Sequence, residues 1–103
     1  MKIIRILSDM IEDEIEGAQE YAEKAAEYKT EHRKLAEVLY DLSTEEMSHI
    51  KRLHDEVARM IADYREKKGD PPADMLAVYD YLHKKHIEQV AEIRRYQDVY
   101  KSM

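Results

Sequence analysis

The strongest helical pattern in this chain lies in residues 35–53, LAEVLYDLSTEEMSHIKRL. Apolar residues recur there every three or four positions, the period of a helix with one buried face. We predict that this face consists of Leu35, Leu39, Leu42, Glu46, His49, Leu53, Val57, Met60 and Tyr64. Two members are polar, and burying a polar or charged group without a partner is costly. A partner for Glu46 and His49 is therefore expected inside the helix interface.

An upstream stretch has the same period and contains one acid. Its predicted buried face consists of Leu7, Ile11, Glu14, Ala18, Tyr21, Ala25 and Tyr28. Both helices should therefore point acidic side chains into a shared packing face. Residues 9–23 contain seven acids and no lysine or arginine. Such a segment is either a solvated helix face or a surface that attracts cations.

Composition predicts a single all-α domain over residues 1–103. Charged residues make up 39% of the chain, with only two glycines and two prolines, as is typical of long helices. We predict helices at about residues 3–29, 31–68 and 72–102, the first two forming an antiparallel hairpin. A chain of this length is near the size at which oligomerisation often completes the core.

The predicted helix boundaries depend on a few residues. One helix continuing to residue 68 would be unusually long, so we place a turn near Thr30, whose hydroxyl can cap the second helix. His32 should then be exposed in the loop or first turn. Gly69 provides a left-handed cap, and Pro71 and Pro72 prevent the second helix from continuing.

Charge and composition exclude several classes of function. A net charge of -6 without a basic stripe argues against nucleic-acid binding. The absence of cysteine excludes disulfides, thiolate zinc sites and thiol nucleophiles. The opening MKIIRILSDM is interrupted by Arg5 and Asp9, so we expect neither a signal peptide nor a membrane span. A cytoplasmic protein is expected.

Glu14, Glu46 and His49 are predicted metal ligands. A paired-metal site in a helical bundle uses a glutamate from each of two helices and a Glu-x-x-His motif from each of two others. This chain contains half of that set, and residues three apart lie on one side of a helix. Carboxylate and imidazole ligands suit iron or manganese, with zinc as an alternative.

Ser43 supports a competing interpretation. Ser43 and Glu46 match a capping box at a helix start, which would make Glu46 a cap and His49 a surface residue. The helical period continues unbroken from Leu35 to Leu53, which argues against a helix start there.

The other histidines are assigned structural roles. Asp80 and His83 have the same spacing as Glu46 and His49, and His83 with His86 could also bind a metal. Packing at a helix interface or exposure to solvent is the simpler interpretation of both histidines. His54 is predicted to be exposed.

Two segments together resemble the ferritin-like superfamily, in the style of rubrerythrins and encapsulated ferritins. They are residues 14–25, EIEGAQEYAEKA, and residues 39–53, LYDLSTEEMSHIKRL. The resemblance rests on Glu14 seven residues before Tyr21, and on Glu46 three residues before His49. It covers the first two helices and implies a bundle that binds a pair of irons and oxidises ferrous iron with dioxygen.

The resemblance also assigns roles to individual residues. Glu14, Glu46 and His49 would bind the irons, and Asp13 and Glu16 would correspond to the acidic approach site of encapsulated ferritins. The chain departs from the pattern at two positions: Gly17 stands where alanine is usual, and Gln89 where a fourth-helix ferritin would have a ligand glutamate. No hydrophobic targeting tail follows Tyr100, so the C-terminus does not support loading into an encapsulin shell.

Two functional hypotheses follow. The first is a di-iron or di-manganese carboxylate protein, ferroxidase-like, in which a homodimer completes a four-helix bundle with two irons at the shared site. A higher homo-oligomer is the alternative to a simple dimer. Doubling one glutamate and one Glu-x-x-His motif about a twofold axis gives the full ligand set. The second is a metal-free helical assembly protein, in which polar residues at the helix interface determine which helices pair.

Overall fold

The computed structural model describes residues 2–103, and within that range the chain forms three helices and no strand. These are α1 (Lys2–Tyr28), α2 (Arg33–Lys68) and α3 (Ala73–Ser102). The all-α prediction is confirmed, and every predicted boundary lies within two residues of the observed one. None of the three helices combines the length and apolar character needed to cross a membrane.

The three helices pack side by side in an elongated bundle of 55 × 18 × 18 Å. Its length matches α2, whose 36 residues span about 54 Å at a rise of about 1.5 Å per residue. α2 runs antiparallel to α1, since Ser43 contacts Ala18 and His49 contacts Glu14. α3 runs antiparallel to α2 and therefore parallel to α1.

Small residues line the contact between α1 and α2. Ala18, Ala22 and Ala25 from α1 and Ala36 from α2 are completely buried. Side chains this small let two helices approach closely. Larger residues fill the rest of the core, and those at most 3% exposed are Ile11, Ile15, Ile50, Val57 and Ile93.

As far as Ile50, the buried face of α2 is displaced by one residue from the predicted one, whereas Val57 is buried as predicted. The residues actually buried are Ala36, Ser43, Ile50, Val57 and Ile61, whereas Leu35 is 47% exposed. The prediction was wrong in this first part of α2 because it followed the leucines, while alanine and serine make the closest contact with α1. Farther along, Leu53 and Met60 pack against the core as predicted. Glu46 and His49 consequently lie at the margin of the interface with α1 and not at its centre.

The turn between α1 and α2 begins where predicted but is capped differently. Thr30 lies within the turn, and the residue preceding α2 is His32, which makes no side-chain capping hydrogen bond. The prediction of a Thr30 cap is therefore wrong, and the prediction of an exposed His32 is confirmed. Gly69 ends α2 with a φ of +81°, and its amide donates to the Arg65 carbonyl.

Ser43 lies within α2, ten residues after its first residue, and links all three helices. Its hydroxyl donates to the Ala18 carbonyl at 2.8 Å and accepts from Gln97 Nε2 at 2.9 Å. The capping-box alternative is therefore wrong, since α2 passes through Ser43 without a break. One turn away, the Tyr40 ring stacks on Tyr100 with centroids 4.7 Å apart.

Candidate metal centre

The structure brings Glu14, Glu46 and His49 together across the interface between α1 and α2. His49 Nδ1 is 3.5 Å from Glu14 Oε2 and 3.8 Å from Glu46 Oε1. One potential ligand atom from each residue lies within 4.8 Å of the other two. This is the group predicted from the sequence, although binding of a metal to it stays a prediction.

Helix geometry explains why these side chains meet. Glu46 and His49 are three residues apart on α2 and therefore share one side of that helix. Gly17, one turn after Glu14, leaves room beside them, since a Cβ there would lie 3.8 Å from Glu46 Oε2. The glycine thus lies against one of the predicted ligands.

The group lies on the side of the hairpin away from α3, which we call the open face. On α1, Glu12 contacts Lys85 and His86 of α3, and Glu14 is about 200° further around the helix. On α2, His54 contacts α3, and His49 is about 140° away from it. The opposite side of the hairpin, against α3, is the covered face.

Solvent reaches the open-face group, and acidic charge dominates it. The side chains of Glu14, Glu46 and His49 are 31%, 23% and 49% exposed. Within residues 2–103, neither carboxylate forms an ion pair with a lysine or arginine. Two carboxylates with one imidazole therefore leave negative charge that a cation would offset.

The predicted approach-site residues, Asp13 and Glu16, are both exposed on α1. They flank Glu14 along the helix but are not part of the converging group. The structure leaves their role as a prediction. Of the other predicted site candidates, Asp80 and His83 are exposed near the start of α3.

A second cluster lies on the covered face and was missed as a unit. His54 of α2 contacts His83 and His86 of α3, with ring centroids 5.5 Å and 5.3 Å apart. His54 is half-buried, so the prediction that it is exposed was wrong. Its position four residues after Ile50 and three before Val57 placed it in phase with the buried face, a signal available from the sequence.

Burial lowers the pKa of two histidines in this cluster. Desolvation, aided by His86 and then His83, lowers the pKa of His54. Desolvation likewise lowers the pKa of His86, although Glu12 partly opposes the shift. His86 Nε2 is buried without a hydrogen-bond partner in the described chain, 3.7 Å from Glu12 Oε1.

Comparison of the chain with models of known protein families, with curated proteins and with solved structures found no match.

Proposed function

We propose that this chain is a paired-metal carboxylate protein of the ferritin-like kind that oxidises ferrous iron with dioxygen or peroxide. The observation that supports this most is the convergence of Glu14, Glu46 and His49 within 4.8 Å on the open face. Hard oxygen donors with one imidazole suit iron or manganese. Each ferrous ion gives up one electron, and carboxylates favour the ferric product because it is the harder ion.

The site is proposed to be shared between two copies. A paired-metal bundle site needs four carboxylates and two histidines, and the group in one chain is half of that set. An isologous twofold contact between open faces would supply the same residues from each side. The two hairpins would then form a four-helix bundle with α3 of each copy on the outside.

Exposed apolar residues on the open face support this pairing. Ile3 and Met10 on α1 are eleven and four residues before Glu14, and Leu35 is eleven before Glu46, each close to a whole number of turns. All three are exposed in the single chain. Pairing would remove this apolar surface from water, which favours association.

The oxidase activity is tested by adding ferrous iron to the protein in air and following near-ultraviolet absorbance. We expect a rapid rise in the wild type that Glu46→Ala and His49→Ala both lose. Glu45→Ala is the matched control, because Glu45 is an exposed glutamate next to the site but outside the group. Equal rates in the wild type and both site variants would refute the proposal.

The shared site is tested by light scattering with and without ferrous iron or manganese. Without metal, four clustered carboxylates repel one another, so a metal that binds only the dimer should tighten it. We expect about one metal ion per chain in the dimer, since two chains hold one pair. A monomer carrying the same complement would contradict the shared site.

The second candidate is a metal-free assembly protein. His49 already lies 3.5 Å from Glu14 and 3.8 Å from Glu46, so a protonated imidazole could offset these acids without a metal. Elemental analysis of protein purified without chelators separates the two functions. Iron or manganese near one ion per chain supports the first, and none after reconstitution supports the second.

A further inference from the structure

Three of the five histidines in the chain gather on the covered face, away from the carboxylate group. His54 comes from α2, and His83 and His86 are one turn apart on α3. The centre of the His54 ring is 5.5 Å from that of His83 and 5.3 Å from that of His86. The cluster therefore bridges α2 and α3, which also meet where Gln97 bonds to Ser43 and where Tyr40 stacks on Tyr100.

The most buried member makes no hydrogen bond of normal length in the described chain, and its Nε2 atom lies 3.7 Å from Glu12 Oε1. His86 is only 1% exposed, and its Nε2 atom makes no hydrogen bond within residues 2–103. A buried polar atom without a partner is uncommon in folded proteins and calls for a physical reason. A ligand held by that nitrogen would supply one.

We propose that His54, His83 and His86 form a second metal site, which takes a divalent cation that prefers imidazole ligands, with zinc as the representative. This site is separate from the open-face carboxylate group and differs from it in donor chemistry. Imidazole suits zinc, copper and nickel, whereas carboxylate-rich sites suit iron and manganese.

The two ring separations that involve His54 are compatible with a shared metal. Imidazoles that bind one tetrahedral zinc at about 2.0–2.1 Å have ring centres roughly 5 Å apart. The observed separations of 5.3 Å and 5.5 Å are close to this value. A cavity of about 10 Å³ lies among the three rings and is lined elsewhere by Ser8, Ile11, Val57, Tyr79 and Leu82. Its volume is near the lower limit for one water molecule.

Binding requires the imidazole rings to reorient so that their nitrogen atoms converge. Within the described chain, only the open-face group has its ligand atoms within 4.8 Å of one another. His83 is exposed, so its ring can rotate toward the cavity without disturbing the core. Its stacking on Tyr79, with ring centroids 5.9 Å apart, already keeps it beside His54.

The negative charge of Glu12 would partly compensate that of a bound cation. Glu12 Oε1 is 3.7 Å from His86 Nε2 and can orient that ring or act as a fourth ligand. The same carboxylate also pairs with Lys85 Nζ at 3.2 Å. Zinc would compete with Lys85 for Glu12, and the exposed lysine can move into solvent.

Titration with zinc in a Glu46→Ala/His49→Ala background tests the site with the carboxylate group disabled. We expect one zinc per chain by calorimetry, and a rise in thermal midpoint because the metal joins α2 to α3. Adding His83→Ala should weaken zinc binding at least tenfold while leaving the helicity and the metal-free midpoint unchanged, since His83 is exposed. His54→Gln, a second substitution that keeps a side chain of similar length, should weaken it likewise.

His32→Ala is the matched control, because His32 is exposed in the turn before α2 and lies outside the cluster. It should leave the zinc affinity unchanged. The proposal is overturned if the background variant binds no zinc. It is also overturned if His83→Ala and His54→Gln bind zinc as tightly as their background does.

Discussion

The two faces of the α1–α2 hairpin carry opposite kinds of polar chemistry. The open face presents Glu14, Glu46 and His49 to solvent, so that acids outnumber imidazoles. The covered face holds His54 against His83 and His86, beneath α3 and with little room for water. Each cluster contains a histidine of α2, and His49 and His54 are only five residues apart. The rotation of the helix between them places the two clusters on different sides of the hairpin.

This contrast shows how burial decides which polar groups a helix interface can hold. Taking a charged carboxylate out of water costs much free energy. The carboxylates therefore stay at the margin of the interface, where solvent reaches them. Imidazole can be neutral near pH 7 and tolerates burial better. The same hairpin can therefore offer a site for hard cations on one side and a nitrogen-rich site on the other.

The largest expected effect comes from removing the packing that covers one face. Ile93 of α3 is completely buried, so Ile93→Ala should lower the free energy of unfolding by about 2–5 kcal/mol. Urea denaturation followed by circular dichroism measures this loss. Ile87→Ala on the same helix is the control, and its residue is 56% exposed.

Equal losses in the two variants would mean that α3 does not cover the hairpin in solution as the structure shows. The two sides of the hairpin would then be equally accessible to solvent, and α3 would not distinguish an open face from a covered one.

The helix boundaries were predictable because they depend on local chemistry. Gly69, Pro71 and Pro72 end α2 regardless of what packs against it, and the observed α2 ends at Lys68 as predicted. The rotation of α2 was not predictable from its leucines. Ala36 and Ser43 lie at the closest contact with α1, and small residues give a weak hydrophobic signal in a sequence.

The candidate site was predictable in its members but not in its setting. The spacing of Glu46 and His49 and the lone acid Glu14 identified the group that the structure brings together. Its position at the margin follows from the one-residue displacement of the buried face. The histidine cluster depends on where α3 packs, and no pattern within α2 alone reports that contact.

A smaller loss is expected at the junction of the three helices. Ser43→Ala removes the acceptor for Gln97 Nε2 and should lower the free energy of unfolding by about 1–3 kcal/mol, because a buried donor loses its partner. Thr44→Ala is the adjacent control. Its exposed hydroxyl bonds only within α2, to the Asp41 carbonyl, and alanine has the higher helix propensity.

Denaturation of both variants in urea gives the comparison. A Ser43→Ala protein as stable as Thr44→Ala would show that Gln97 finds another partner, and that the junction does not hold α3 in place.

The covered face should also make stability depend on pH. The pKa values of His54 and His86 lie below the ordinary 6.5 in the folded chain, chiefly because of burial. The unfolded chain therefore binds more protons, and stability should fall as pH decreases from about 6.5 through the folded pKa values. Thermal midpoints measured with a chelator between pH 8 and pH 5 report this loss of stability.

Substitution of His54 isolates the contribution of the cluster. The other charged or titratable groups around it are His83, Glu12, Lys85 and Asp55. His54→Gln removes one titrating group and should flatten the dependence below pH 6.5, whereas His32→Gln changes a histidine outside the cluster. An unchanged slope in His54→Gln would place the source of the pH dependence elsewhere.

The smallest expected effect is at Gly17, on the open face beside Glu46. A Cβ at Gly17 would make only an ordinary contact, 3.8 Å from Glu46 Oε2, so alanine fits the single chain. Because glycine costs up to about 1 kcal/mol in a helix interior, Gly17→Ala should stabilise dilute, chelated protein by up to about that amount.

Where two copies pair through their open faces, the same methyl group would occupy space between closely packed helices. Light scattering should then show weaker metal-dependent association. A variant that is stabilised equally with and without metal, and associates as well as the wild type, would show that the open faces do not meet at Gly17.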